Sequence, residues 1–148
     1  MSRGIATGFV ILLVEDNPGD VRLTREALKD KKIIHGLHVA RNGIEAIAFL
    51  RREEKFRNAP RPDLIILDLD LPEKNGQEVL AEIKSDLTLK EIPVVVLTSS
   101  EAEQDIMGAY RLQANCYVTK PFELEHFFHV VRSIGDFWLS VADLPRGG

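Results

Sequence analysis

The chain has 148 residues, 45% of them hydrophobic and 28% charged, which is the balance of one globular domain. Its formal net charge of −4 gives it no overall attraction to DNA or anionic membranes, and its single cysteine cannot form an internal disulfide. The apolar run near the N-terminus, at 9–14, is too short to span a membrane. We therefore expect a cytoplasmic protein of one domain over 1–148, with a core of about 8–139 and a C-terminal extension at 140–148.

Apolar runs without polar alternation recur along the chain, as FVILLV (9–14), LIIL (64–67) and VVVL (94–97). Strands of this kind are buried on both faces, as in a parallel sheet that helices cover. HGLHVA (35–40) alternates more and predicts an edge strand, whereas CYVT (116–119) predicts a short fifth strand.

Amphipathic helical patterns separate these strands, at 18–29, 43–54, 76–86, 101–112 and 123–139. Asn17 followed by Pro18 is a helix start signal. Five strands that alternate with five helices predict a doubly wound α/β fold, with a parallel sheet in the order 2-1-3-4-5. Ligands of such sheets bind at the carboxyl ends of the strands.

Polar residues follow the predicted strands at that edge. Glu15 and Asp16 follow the first strand, Asp68 the third, Thr98 ends the fourth and Lys120 follows the fifth. The first and third strands are neighbours, and two carboxylates ~4 Å apart repel by roughly 4 kcal/mol at an effective dielectric constant near 20. A divalent cation relieves that repulsion, and oxygen ligands without His or Cys suit Mg²⁺. The pattern predicts a Mg²⁺ site formed by Glu15, Asp16 and Asp68.

A carboxylate beside Mg²⁺ and a lysine can also act as a nucleophile toward a phosphoryl group. Lys120, the Thr98 hydroxyl and backbone amides near Leu69 and Ser99 could stabilise the charge on the transferred group. The sequence therefore predicts a transient aspartyl phosphate on Asp68.

Four motifs in this order resemble the receiver domain of two-component response regulators: LLVEDNPGD, LIILDLDLPEKNG, VVVLTSS and YVTKPF. The resemblance implies a flavodoxin-like receiver fold and a histidine of a sensor kinase as the phosphate donor. It also implies a signalling protein, which catalyses only its own phosphorylation and dephosphorylation.

The resemblance implies a role for each acid of the predicted metal site. Asp16 would bind Mg²⁺ directly, Glu15 would bind it mostly through water, and the backbone carbonyl of Asp70 would be a further ligand. Many relatives have two aspartates where this chain has Glu15 and Asp16. The longer Glu15 side chain could alter the affinity for the metal.

The resemblance also implies a switch. Thr98 would move toward the phosphate, and Tyr117 would change rotamer with it. Lys120 would pair with the phosphate, positioned by a cis peptide bond before Pro121. Output would then pass through contact with another protein, because no DNA-binding domain is expected after the last helix.

The final helical pattern resembles that of response regulators that partner bacterial phytochromes, as in cyanobacteria. Two apolar rows follow helical spacing, one of Leu124, Phe127, Phe128, Val131 and Trp138 and a second of Val130, Ile134, Phe137 and Val141. One row suffices to cover a sheet, and an exposed apolar stripe usually marks an interface. We expect a homodimer through the face of helix 4, strand 5 and helix 5 that depends on Phe137 and Trp138. Alternatively, the tail folds back and covers the second row.

Other interpretations remain open. The pair Asp68 and Asp70 resembles the nucleophile and acid–base of haloacid-dehalogenase-like phosphatases, although those enzymes carry the motif on their first strand. Thr98 and Glu101 have the spacing of a helix capping box. A flavin or nucleotide module is disfavoured, because EDNPGD is not a glycine-rich phosphate loop.

Overall fold

The computed structural model describes residues 9–29 and 34–140. In these residues one parallel sheet has five strands, and their order is β2-β1-β3-β4-β5. The strands are β1 Phe9–Val14, β2 Ile34–Ala40, β3 Leu64–Leu67, β4 Val94–Thr98 and β5 Cys116–Thr119. The predicted fold and strand order are confirmed. The three central strands are buried along their whole length, as their apolar runs predicted.

Helices alternate with the strands: α1 Pro18–Leu28, α2 Gly43–Leu50, α3 Gly76–Lys84, α4 Glu103–Arg111 and α5 Leu124–Ser140. The second helix was predicted to reach residue 54, but it ends at Leu50, and Arg52 beyond it has a φ of 56°. A short 3₁₀ turn, Glu54–Phe56, follows. In the described ranges, no helix is long and apolar enough to cross a membrane.

Two hydrophobic cores lie on opposite faces of the sheet, because successive strand residues point to opposite sides. One face packs against α2, α3 and α4 through a core that includes Leu12, Val14, Ile65, Leu67, Ile47, Leu80 and Ala109. The other packs against α1 and α5 through a core that includes Ile11, Leu13, Leu64, Ile66, Val21, Phe127 and Val131. Helices therefore cover both faces of the sheet.

Three helices begin at this edge with an asparagine cap. Asn17, Asn42 and Asn75 each accept a hydrogen bond from the backbone N–H three residues later. Such caps satisfy backbone donors that a helix start leaves unpaired. The capping box predicted for Thr98 and Glu101 is wrong, because Thr98 still belongs to β4 and α4 begins only at residue 103.

The apolar rows of α5 divide differently from the prediction. Phe127, Val131 and Ile134 are buried against the sheet, whereas Leu124 is 69% and Phe137 58% exposed. The predicted rows were wrong for Leu124 and Ile134, because helical spacing does not decide which of two adjacent apolar faces meets the sheet. Val141 and most of the predicted extension lie outside the described residues.

Candidate functional site

Three carboxylates converge where β1 and β3 end. Val14 is in register with Leu67, so Glu15 and Asp68 continue two adjacent strands, and the Asp68 N–H donates to the Val14 carbonyl at 3.0 Å. Carboxylate oxygens of Glu15, Asp16 and Asp68 all lie within 4.8 Å of one another. Glu15 and Asp68 are buried, whereas Asp16 is exposed to solvent. The structure thus brings together the three acids that the sequence predicted as a cluster.

Lys120 enters this cluster from the end of β5. Its Nζ lies 2.7 Å from Glu15 Oε1, 3.0 Å from Asp68 Oδ2 and 2.8 Å from Asp20 Oδ2. Its backbone N–H donates to the Thr98 carbonyl at 2.7 Å, which continues the pairing of β4 with β5. The third acid partner, Asp20, lies in the first turn of α1 and was missing from the predicted site. The sequence does contain a feature that could have indicated Asp20. It is an acid three residues after the Asn17 cap, in a helix that begins at the carboxyl edge of the sheet.

Burial and pairing shift the acid–base properties of two groups. Burial raises the pKa of Glu15 to about 7, against the opposing effect of the hydrogen bond from Lys120. Burial alone would lower the pKa of Lys120, but hydrogen bonds to Asp20 and Glu15 and the charge of Asp68 outweigh it and raise the pKa above its ordinary value. Lys120 therefore stays charged, and Glu15 holds a proton more readily than an ordinary glutamate does.

The donor chemistry of the cluster fits a hard divalent cation. Its ligand atoms are carboxylate oxygens alone, and one positive lysine does not neutralise four nearby acids. The cluster opens into a pocket of about 410 Å³, whose lining includes Asn17, Asp70, Ser99 and Phe122. An additional cation would offset the repulsion between the Asp68 and Glu15 carboxylates, which adds to the effect of burial on the pKa of Glu15.

Asp70 and Gly76 shape the loop that carries Asp68. The Asp70 N–H donates to Asp68 Oδ1 at 3.1 Å, and the Asp70 side chain itself is exposed. A Cβ atom on Gly76 would lie 2.3 Å from the Asp68 carbonyl oxygen, so only glycine allows α3 to start this close to the site. The ligand role of the Asp70 carbonyl stays a prediction.

Thr98 is fully buried at the end of β4, and its Oγ1 has no hydrogen-bond partner among the described residues. A buried hydroxyl without a partner costs about 1–3 kcal/mol, so native structures rarely retain one without a reason. Thr98 thus keeps a free donor at the same sheet edge as Asp68. The sequence predicted this hydroxyl at the site but not that it would be buried without a partner among the described residues.

Tyr117 is tied to the loop that follows Thr98. Its hydroxyl donates to the Ser100 carbonyl at 2.9 Å, and its ring packs in part against the core under α4. Burial raises the pKa of Tyr117, so it remains a neutral donor. The cis bond expected before Pro121 is wrong, since the described peptide bonds are all trans. The two isomers of such a bond differ by only about 0.5–1 kcal/mol, too little to be inferred from the sequence.

Residues 11–132 match the family of response regulator receiver domains, and the chain belongs to this family. It is 52% identical over 136 residues to the response regulator Rcp1 of Synechocystis sp. (strain ATCC 27184 / PCC 6803 / Kazusa), a match that covers 92% of each protein. The phosphorylated cyanobacterial phytochrome response regulator RcpA superposes with a TM-score of 0.90 at 54% identity, over 93% of this chain and 99% of that one. The Mn²⁺-bound form of Rcp1 superposes with a TM-score of 0.89 at 51% identity, with the same coverage.

The acids, the lysine and the hydroxyl lie at or near strand ends of one sheet in this receiver domain. The family gives no support to a haloacid-dehalogenase-like phosphatase, in which the Asp68 motif would occupy the first strand. Here Asp68 follows β3, and the acids after β1 are present as well.

Proposed function

We propose that this receiver domain accepts a phosphoryl group on Asp68 from a histidine of a sensor kinase, with Mg²⁺ as the cation. The observation that carries the proposal is the placement of Asp68, a buried acid that shares the Lys120 ammonium with Glu15 and lines a pocket. Related proteins support it, because one is described as phosphorylated and another as bound to Mn²⁺.

In this proposal, Asp68 is the nucleophile. One of its oxygens attacks the phosphorus atom, the bond from phosphorus to the kinase histidine breaks, and the imidazole nitrogen keeps the electron pair and takes up a proton. The Asp70 N–H and Lys120 orient the carboxylate beforehand through its two oxygens, at 3.1 and 3.0 Å. Mg²⁺, held by Glu15, Asp16, Asp68 and the Asp70 carbonyl, would supply positive charge for the phosphoryl oxygens.

Thr98 and Tyr117 would convert the phosphorylation into a change of surface. The Thr98 hydroxyl has no partner in the described part of the chain, so it can donate to a phosphoryl oxygen without breaking another bond. Ser100 follows it by two residues and accepts from Tyr117, so a shift of this loop also displaces the tyrosine. The consequence is a population shift of the face that α4, β5 and α5 form.

Intact-mass measurement tests the phosphoacceptor. We expect the wild type to gain the mass of one phosphoryl group on incubation with Mg²⁺ and a small acyl phosphate, and Asp68→Asn to gain none. Asp70→Asn is the matched control, because it removes an exposed acid two residues away and should keep the mass gain. Modification of Asp68→Asn to the wild-type extent would refute the proposal. A steady phosphatase turnover that Asp70→Asn abolishes would revive the enzyme alternative.

The donor that we propose is a phytochrome-type kinase. The support is the 54% identity with a regulator described as belonging to a cyanobacterial phytochrome. A phosphorylated phytochrome kinase should transfer to this chain much faster than an unrelated histidine kinase at equal concentration. Equal transfer rates from the two kinases would count against this assignment.

We further propose a homodimer through the face of α4, β5 and α5. On this face Met107 and Tyr110 of α4 are 51% and 50% exposed, and β5 is an edge strand. On α5, Phe137 is 58% exposed and stacks edge-to-face on Trp138, which packs in part against the core. Phe137→Ser should lower the light-scattering mass from two chains to one. Leu87→Ser, at an 81% exposed apolar residue outside this face, is the control.

A further inference from the structure

The sequence motifs leave Asp20 unassigned, although it contacts the centre of the site. Its Oδ2 lies 2.8 Å from Lys120 Nζ, and the side chains of Asp20 and Lys120 are 25% and 9% exposed. We propose that Asp20 is a positioning residue for phosphoryl transfer, which holds the Lys120 ammonium at the site independently of Glu15 and Asp68. This inference rests on the proposed function and extends it by one residue.

The number of donors on Lys120 is the first part of the argument. An ammonium group has three N–H donors, and Lys120 has three carboxylate acceptors, so every donor is used. Two of these acceptors, Glu15 and Asp68, also belong to the cluster that fits a cation, whereas Asp20 does not. Asp68 would also lose its carboxylate charge as an acyl phosphate. Of the three acids that bind Lys120 in the described ranges, Asp20 is therefore the one with no second role at the site.

The local structure holds Asp20 firmly in place. Its N–H donates to the Asn17 side chain at 3.0 Å, and its carbonyl accepts from the Thr24 hydroxyl at 2.8 Å. The Asn17 N–H in turn donates to Glu15 Oε2 at 3.2 Å, which links the start of α1 to the end of β1. A carboxylate in the first turn of a helix is also favoured by the helix dipole. Asp20 is thus a pre-ordered anchor for a flexible lysine side chain.

An ion pair of this length on the surface would hardly fix the position of a lysine, because exposed ion pairs contribute little to stability. This pair differs, since the Lys120 side chain is 9% exposed and the ammonium lies among buried acids. A purely structural role is the alternative: Asp20 could serve α1 through the helix dipole alone. Such a role would change the stability of the protein and leave the ammonium of Lys120 undisturbed.

The first measurement needs neither metal nor phosphate. An ammonium held by three acceptors exchanges its protons slowly with water, so Lys120 should give a ¹⁵N–¹H signal that Lys120→Met removes. We expect Asp20→Ala to broaden that signal beyond detection and Asp20→Asn, which keeps an acceptor of the same shape, to weaken it. Glu26→Ala, an exposed acid on the same helix, is the control with the same change in charge and should leave the signal intact.

The second measurement is the maximal rate of phosphorylation by a small acyl phosphate at saturating Mg²⁺. Asp20→Ala should lower this rate about tenfold, the effect of one charge-assisted hydrogen bond, and Asp20→Asn about threefold. Glu26→Ala should match the wild type. If Asp20→Ala fails to fold, Asp20→Asn carries the test, and its rate must fall more than twofold.

Several results would overturn the inference. An unchanged Lys120 signal in Asp20→Ala would mean that Asp20 does not hold the ammonium. Equal acceleration of phosphorylation in Asp20→Ala and Asp20→Asn would mean that Asp20 acts only by repelling the donor. A wild type that takes up no phosphate would refute the proposed function instead, and the metal-free spectra would still decide whether Asp20 anchors Lys120.

Discussion

Two polar residues at the ends of neighbouring strands differ sharply in their bonding. Lys120 follows β5 and has three carboxylate partners, whereas Thr98 ends β4 and its buried hydroxyl has no partner among the described residues. Their backbones are nevertheless joined by a hydrogen bond of 2.7 Å. The difference teaches that the site already holds its positive charge in place, while its hydroxyl is left available as a donor, as the proposed phosphorylation of Asp68 would require.

Loss of the ammonium should disturb this arrangement most. In metal-free Lys120→Met, buried acids lose their cation, and we expect the free energy of unfolding to fall by about 3 kcal/mol. Urea denaturation measures the change. Lys90→Met, at an exposed lysine, is the control and should stay within about 0.5 kcal/mol of the wild type. A loss below about 1 kcal/mol in Lys120→Met would mean that the charge of Lys120 contributes little to the stability of the buried carboxylates.

The second prediction concerns pH and Glu15, whose pKa burial raises from 4.5 to about 7. Between these values the folded protein binds more protons than the unfolded chain, so stability falls as the pH rises through this window. One pKa unit corresponds to about 1.4 kcal/mol, so the whole loss is roughly 3–4 kcal/mol, and roughly 2–3 kcal/mol of it falls between pH 5 and pH 8.

Urea denaturation of metal-free wild type and Glu15→Gln at pH 5 and pH 8 isolates this effect. The difference in unfolding free energy between the two proteins should change by that amount over the interval, because the amide side chain of the variant does not titrate. Parallel pH profiles would show that Glu15 keeps an ordinary pKa, and that Lys120 neutralises the cluster fully.

The central strands could be predicted from the sequence because their burial on both faces leaves a plain signal. LIIL and VVVL have no polar alternation, and the structure buries every residue of β3 and β4. The order of the strands followed from general rules for parallel sheets. On α5 the same type of reasoning was wrong for Leu124 and Ile134. Helical spacing there allowed two adjacent apolar faces, and packing against α1 and the sheet selects between them.

The site was predictable where its residues directly follow strands. Glu15, Asp68 and Lys120 met this condition, since parallel strands bring their carboxyl ends to one edge. Asp20 did not, because it lies on a helix, and its approach to Lys120 depends on how Val21 and the rest of α1 pack on the sheet. The Thr98 hydroxyl has no partner in the described part of the chain, and no pattern in the sequence indicates this.

The third prediction tests the link between Tyr117 and the loop after Thr98. Tyr117→Phe removes the hydroxyl that donates to the Ser100 carbonyl and should lower the free energy of unfolding by about 1 kcal/mol. Tyr110→Phe is a matched control, since its hydroxyl accepts from the Tyr117 N–H on an exposed surface and its loss should cost less. A larger loss in Tyr110→Phe would show that the hydrogen bond from the Tyr117 N–H to Tyr110 stabilises β5 more than the bond from Tyr117 to Ser100 does.

The smallest expected effect is the sharpest test of the contrast between Lys120 and Thr98. Thr98→Val keeps the side-chain shape and removes a buried hydroxyl that has no partner in the described chain, so the resting protein should lose no stability and could gain up to about 1 kcal/mol. Thr98→Ser keeps the hydroxyl and removes a methyl group from a fully buried position, which should cost about 1 kcal/mol. Urea denaturation of the two variants should therefore rank Val above Ser. The reverse ranking would mean that the hydroxyl is already bonded in the resting protein, and Thr98 would then resemble Lys120 as a residue fixed before phosphorylation.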